Sequence, residues 1–355
     1  MERHMFFGGN TGGGFMHWFG DILFLDETKK TLFLKGSSGS GKSTLMRKVG
    51  AAFEQLGEAV DYIHCSNNVE DLDGICVRSR GIAMVDGTAP HICDPTMPVA
   101  IDEIYNTAVY IDPAVAAHAD RLRALQLRKK PYFDKAYTYM RAACTVLDNN
   151  VYLYSSARRS GPLNRAIEQE VGVFALHAVA DRPGRNRRMF AVAVTPQGNI
   201  NFTHTLVEGL TVVALQGCGG MGTDLMLERL RHEANMRGLD TEGLYCPVNP
   251  ARLDHLIIPA LGLCYATVNN YHDTVLSATR TIDFEEFLDR SFLRAGEAEL
   301  SYNRNLYEEL QQRAMDTMAA QKEIHDQIEG IYLEHMDFDG LNRAFDEIME
   351  RLKGI

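Results

Sequence analysis

The chain has 355 residues, 45% of them hydrophobic and 23% charged, with a formal net charge of −11 and no low-complexity tract. Such a length can bury more than one core and is worth about two domains, while the acidic balance argues against a general nucleic-acid binder. No apolar run approaches the ~18 residues that a membrane helix requires, and Met1-Glu2-Arg3-His4-Met5 leads into glycine-rich sequence with no apolar signal core, so the expectation is a cytoplasmic protein.

In chain order, Phe6 to Phe15 is too glycine-rich for a helix and predicts a turn joining two strands. Thr31-Leu32-Phe33-Leu34 is a short apolar run, followed by the turn Gly36-Ser37-Ser38-Gly39-Ser40-Gly41-Lys42-Ser43-Thr44 and a helix-compatible stretch from Leu45 to Leu56. Ala59 to Cys65 predicts a second strand, and Gly81 to Asp86 a third that ends in an acid. Residues 115 to 175 predict helices, with Ala124, Leu127, Phe133, Tyr137, Met140, Cys144 and Leu147 at helical spacing and Pro131 as a break. The charged connector Asp181 to Arg188 marks a boundary, and Phe284 to Leu352 predicts further helices that pack on their own α/β unit.

The stretch from Thr31 to Thr44 has the strand, glycine turn and helix of a phosphate-binding loop. Gly36, Gly39 and Gly41 permit backbone conformations closed to residues with a Cβ, so that successive N–H groups can turn inward around phosphate oxygens. The helix N-terminus adds its positive dipole end at the same place. Lys42 would reach the β- and γ-phosphates of ATP, and Ser43 would ligate Mg²⁺ together with Asp86 at the end of the third strand. The alternative is a plain glycine-rich turn, which the flanking strand and helix disfavour.

The chain then repeats itself. A constant shift of 181 residues, without a gap, superposes Gly36, Gly39, Gly41, Gly57, Cys65, Asn68, Leu72, Asp73, Gly81 and His91 on identical residues of the second half. Met5-Phe6 matches Met189-Phe190, and Leu163-Asn-Arg-Ala166 matches Leu341-Asn-Arg-Ala344, with Tyr154 matching Tyr332. The expectation is therefore two tandem P-loop NTPase-like α/β domains, 1–182 and 183–355, each with a mainly parallel sheet and appended helices. The copies differ where chemistry would be. Thr223 replaces Lys42, Asp224 replaces Ser43 and Thr267 replaces Asp86. Loss of the lysine deletes a phosphate partner and the carboxylate at the helix start repels phosphate, so the second loop is expected not to bind Mg²⁺·ATP in the usual way.

Other constellations are weaker. His64-Cys65, Cys76 and His91-Ile-Cys93 offer zinc-type ligands, but adjacent His64 and Cys65 on a strand point to opposite faces, which favours packing. The seven cysteines contain no CxxC pair and suit reduced thiols. Thr88, His91 and Asp94 could orient an attacking water, or simply cap a loop. No acid follows Asp86, where Gly87 stands, so Asp102 or Glu103 remain as base candidates. Arg78, Arg80, Arg158, Arg159 and Arg252 are candidates for a finger on the γ-phosphate. The basic clusters Arg121 to Arg123, Arg128 to Lys130 and Arg182 to Arg188 read as solvated surface.

The chain resembles a bacterial family of tandem P-loop ATP-binding proteins. The resemblance rests on Gly9-Asn10-Thr11, His64-Cys65-Ser66, Leu72-Asp73-Gly74, and Asp86-Gly-Thr-Ala-Pro-His91 with Asp94-Pro95. In the second half it rests on Thr195-Pro196-x-Gly198, Tyr245-Cys246-Pro247, Leu253 to Pro259 and His335-Met-Asp-Phe338. It covers nearly the whole chain and implies ATP binding and hydrolysis, without naming a substrate or partner. It also implies a lysine-bearing loop in both halves, from which Thr223 and Asp224 depart. A small-molecule kinase and an ATP-dependent partner-binding switch are the alternative expectations.

Overall fold

The structure, a computed structural model, describes residues 2–89, 92–176, 179–269 and 276–355. The first half runs β1 (Glu2–Met5), the hairpin β2 (Gly8–Thr11) and β3 (Gly14–His17), β4 (Lys30–Lys35), α1 (Lys42–Gln55), β5 (Val60–His64), β6 (Leu72–Val77), β7 (Ile82–Asp86) and β8 (Asp102–Asn106). Two helices follow, α2 (Ala119–Ala157) and α3 (Ser160–Val171). The second half repeats this with β9 (Asn186–Met189), β10 (Val192–Thr195), β11 (Gly198–Asn201), the short α4 (Thr203–Leu206), β12 (Thr211–Gln216) and α5 (Thr223–Met236). It continues through β13 (Thr241–Tyr245), β14 (Leu253–Ile258), β15 (Leu263–Val268) and β16 (Arg280–Asp283) to α6 (Arg290–Leu333) and α7 (Phe338–Leu352).

The protein is α/β, with two six-stranded sheets of the same order: β1-β5-β6-β7-β4-β8 and β9-β13-β14-β15-β12-β16. The sheets are mixed. Pairings of β6 with β5 and β7, and of β14 with β13 and β15, are antiparallel, and the others are parallel. One strand per sheet thus runs against its neighbours. This strand escaped the sequence reading because Leu72–Val77 is short and buried throughout, with no alternation to mark it. From β4 to β7 each element lies 181 residues before its counterpart, so the duplication is present in the topology as well as in the residues.

The two sheets share one core. Ile63, Val85, Leu244 and Ala266 meet Met5, Phe6, Met189 and Phe190 there, while the opposite face of each sheet packs on helices. Burial on both faces explains the near-continuous apolar strands. Arg3 and Arg187, at equivalent places on β1 and β9, reach across: Arg3 pairs with Glu242, and Arg187 Nη1 lies 2.8 Å from Asp61 Oδ2. Arg78 joins the cluster at 2.7 Å from Glu242. Burial alone would raise the Glu242 carboxyl, but Arg3, Arg78 and Arg187 hold it well below the usual carboxylate range.

The helices overturn one expectation. The closing helices do not pack on their own α/β unit. Leu341, Ile348, Met349 and Leu352 of α7 join Leu45, Val49 and Phe53 of the first unit, and Leu163 and Ile167 of α3 join Met226, Leu227 and Leu230 of the second. The exchange is reciprocal, with bridges Ile111–Met336 and Arg158–Leu288 at matching places. Between them α2 and α6 run antiparallel, since Leu125 meets Ile328 near one end and Asn303 donates to Asn150 at 3.0 Å near the other. Pro131 does not break α2, which is continuous over 39 residues. Contacts with α6 along the helix's length hold it together across the missing N–H. The connector ends earlier than expected, because Asn186 to Arg188 belong to β9.

Candidate nucleotide site

The loop 36–41 leaves β4 and enters α1 at Lys42. Gly39 and Gly41 both have φ of +75°, a conformation that side chains resist. A Cβ on Gly41 would also overlap the Leu341 side chain, and one on Gly39 would lie 2.9 Å from the Glu329 carbonyl oxygen. The loop is pinned from outside: Ser40 Oγ donates to Ser37 O at 2.8 Å and lies 2.8 Å from Thr107 Oγ1, and Thr88 Oγ1 donates to Gly36 O at 3.1 Å. No side chain caps α1, so its first N–H groups remain directed at whatever lies beyond the loop.

Lys42 is buried and folds back over the loop. Its Nζ donates to Ser37 O at 2.8 Å and Gly36 O at 3.3 Å and stands 3.6 Å from Asp86 Oδ2. Asp86 Oδ1 accepts the Thr88 N–H at 2.8 Å. Burial pushes the Asp86 carboxyl up, against the pull of the Lys42 ammonium. Ser43 Oγ accepts the Leu72 N–H at 3.0 Å, which fixes the hydroxyl and leaves its proton side open.

Ser37 to Thr44 and Asp86 line a cavity of about 950 Å³. Gly36 sits behind it. The far wall is helical and was not legible in the sequence: Arg123, Lys129, Phe133 and Tyr137 come from α2, and Lys322, His325, Glu329 and Leu333 from α6. The helix of the second half thus roofs the loop of the first. Leu333 and the first residue of α7, Phe338, line this space and are 41% and 48% exposed, an apolar patch beside the polar loop.

Most of the other predicted positions lie elsewhere. Asp102 accepts the Thr96 and Met97 N–H groups at 2.7 and 2.8 Å, and Glu103 pairs with Lys30 and Arg351, so neither faces the cavity. Arg78 belongs to the cluster between the sheets, Arg80 pairs with Glu58, and Arg158 donates to Gly220 O at 3.0 Å. Arg159 lies at the start of α3, away from the cavity lining. Asp94 is drawn to Lys35, at 3.2 Å, while Thr88 does line the cavity. Cys65 borders the cavity, whereas Cys76 is buried in the shared core. His64 Nε2 lies 2.8 Å from His4 Nδ1. Pro90, His91 and His272 lie outside the described residues. Among the described residues no group of three or more His, Cys, Asp or Glu side chains is placed to hold a metal ion.

The second loop has the same course and different contents. Gly222 again adopts a positive φ, of +112°, before α5. Arg252, aligned with Asp71, packs against Gly219, with Nε 3.0 Å from Asp254 Oδ1 and Nη2 donating to Cys246 Sγ at 2.9 Å. Val151 of α2 closes on Gly220. Thr223 is buried, and Asp224 Oδ1 is buried with no hydrogen-bond partner. A guanidinium, a carboxylate and a helix backbone fill the space that is open in the first half.

No model of a known protein family, no curated protein and no solved structure matches the chain. Among the described residues no helix is long and apolar enough to cross a membrane.

Proposed function

We propose that the first half is a P-loop domain that binds Mg²⁺·ATP and hydrolyses it, and that the second is a degenerate copy with a structural role. One observation carries the reading: an uncapped helix N-terminus, a loop of positive-φ glycines, a buried lysine and an acid 3.6 Å from it all border one cavity. The residues suit the ion, since Ser43 Oγ keeps a free side and Asp86 offers a carboxylate next to the loop. Bound there, Mg²⁺ would neutralise charge on the phosphate oxygens. Lys42 would exchange its carbonyl partners for phosphate oxygens, and the N–H groups of residues 39 to 44 would hold the rest of the chain of phosphates. The apolar patch of Leu333 and Phe338 is suited to the base.

The test is calorimetric binding of ATP with Mg²⁺, together with phosphate release. Wild-type protein should bind one nucleotide per chain. Lys42→Ala should lose turnover by a factor on the order of 10² or more, and Thr223→Lys should not add a second binding event. Normal turnover by Lys42→Ala would refute the reading.

A small-molecule kinase is the second reading. The same cavity extends past the loop to Asn67, Asn68 and Tyr137, leaving space for an acceptor. It requires turnover that rises with one added acceptor and a phosphorylated product.

A further inference from the structure

Lys129 and His325 meet across the helix pair that roofs the loop. The Lys129 Nζ lies 2.7 Å from His325 Nδ1, so the ammonium donates and a neutral ring accepts. Both side chains line the cavity, and the Phe133 ring lies 5.9 Å from the same ammonium. Among the described residues no carboxylate stands within ion-pair distance of Lys129. Asp326 acts on Lys129 only from beyond that distance and already pairs with Lys322 at 2.9 Å, so the direct partner of this half-buried cation is neutral, and an anion in the cavity would add the missing close charge. Burial lowers the Lys129 ammonium and brings His325 down to about 4, with the charge of Lys129 and, more weakly, of Lys42 acting on the ring as well. The ring is therefore neutral near pH 7.

The duplication supplies a control within the same molecule. By the shift of 178 that aligns Tyr154 with Tyr332, His325 corresponds to Leu147, and Glu329 to Val151. Lys129 falls at Leu306 or Tyr307 of α6. At these positions the helix pair thus has apolar residues in the second half, where the α6 cation close to the loop is instead Arg304, acting on Cys218, and the pairing of a lysine with a neutral histidine is found beside the loop that keeps Lys42.

We propose that Lys129, oriented by His325, is the cationic contact that the helix pair supplies to the terminal phosphate of a nucleotide held in the loop 36–44. The inference rests on the nucleotide reading above. In it Lys129 opposes the charge that distinguishes ATP from ADP, and His325 is a positioning residue. The contact sets ATP preference and turnover, while Lys42 and the loop N–H groups hold both nucleotides.

The experiment measures Mg²⁺·ATP and Mg²⁺·ADP affinity by calorimetry, and turnover, for wild type, Lys129→Met, Lys129→Arg, His325→Leu and Lys42→Ala. Methionine keeps an unbranched stem without the charge, and a melting scan checks that each variant is folded. Lys129→Met should weaken ATP about tenfold or more and ADP less than about twofold, with turnover down on the order of 10². Lys129→Arg should recover part of both. His325→Leu should show the same selective loss of ATP to a smaller degree. ATP and ADP affinities that stay at wild-type values in Lys129→Met, or that fall together, would overturn the proposal. Wild-type affinity for both nucleotides in Lys42→Ala would instead overturn the nucleotide reading itself, so the two failures are distinct.

Discussion

Phe6 and Phe190 face each other at the middle of the molecule and exchange both backbone hydrogen bonds, Phe6 N–H to Phe190 O at 2.9 Å and Phe190 N–H to Phe6 O at 2.8 Å. They occupy equivalent places in the two halves, so this pair marks the axis of the duplication. The reciprocal Arg–acid pairs of Arg3 with Glu242 and Arg187 with Asp61 follow from the same axis.

Arg187→Ala should therefore be costly. It would leave two buried carboxylates with Arg3 and Arg78, and breaking a buried pair on one side costs about 3–5 kcal/mol. Urea unfolding checks this, with Arg188→Ala as the comparison. Arg188 meets Asp21 at 2.6 Å but is 47% exposed, and its loss should cost no more than about 1 kcal/mol.

Stability should fall with acid in two windows. Burial brings His64 down to about 4 from an ordinary value of 6.5, so the folded protein binds that proton less readily than the unfolded chain. The contribution is whole above about pH 6.5 and is lost as pH falls from there toward 4. Asp61 and Glu242 are held low by their arginines after burial has raised them, so their contribution is whole above about pH 4 and is lost below it. Urea midpoints measured from pH 8 to 3 should decline first in the upper window, where His325, also brought down to about 4, adds to the effect, and His64→Gln should flatten part of that decline. An unchanged slope in His64→Gln would count against the buried neutral ring.

The exchanged helices predict paired outcomes. Leu341 and Leu163 are equivalent, both are buried, and each packs on the loop glycine of the opposite half. Leu→Ala at either should cost about 2–5 kcal/mol. Only Leu341→Ala should also weaken ATP, since it loosens Gly41 beside Lys42. Equal nucleotide affinity in the two variants would disconnect α7 from the site.

Ion dependence separates the two metal candidates from structure. Asp86→Asn should raise the Mg²⁺ concentration for half-maximal turnover by about tenfold or more. Ser43→Ala removes both the oxygen proposed to hold the ion and the acceptor of the Leu72 N–H, whereas Ser43→Thr keeps both and should behave like wild type. Turnover indifferent to Mg²⁺ in all three would remove the ion from the scheme.

Local chemistry made much of this visible in the residues alone. Gly36 to Thr44, Asp86 and the loss of Lys42 at Thr223 are short-range patterns, and the shift of 181 carried the topology of one half onto the other. What escaped is non-local. Nothing in Leu341 or Leu163 says which sheet it will cover, because an amphipathic helix of given face fits either of two related grooves. Lys129 and His325 are separated by 196 residues in sequence, and their meeting depends on how α2 lies along α6. The finger candidates fit by residue type alone, and packing engages Arg78 at the sheet interface, Arg80 with Glu58, and Arg158 and Arg252 at the second loop.

The exchange of α3 and α7 also governs the order in which the molecule can be made. During synthesis on the ribosome, the apolar surface of α1 emerges long before its cover at Leu341 to Leu352, so the earlier unit cannot finish folding until translation has passed α7. A chain released early, or clipped near Asp181, would lack both that cover and the helical roof over Lys42. On the nucleotide reading proposed above, triphosphate capture should require a polypeptide made through α7, and nascent or truncated forms should appear to proteases and chaperones as unfinished.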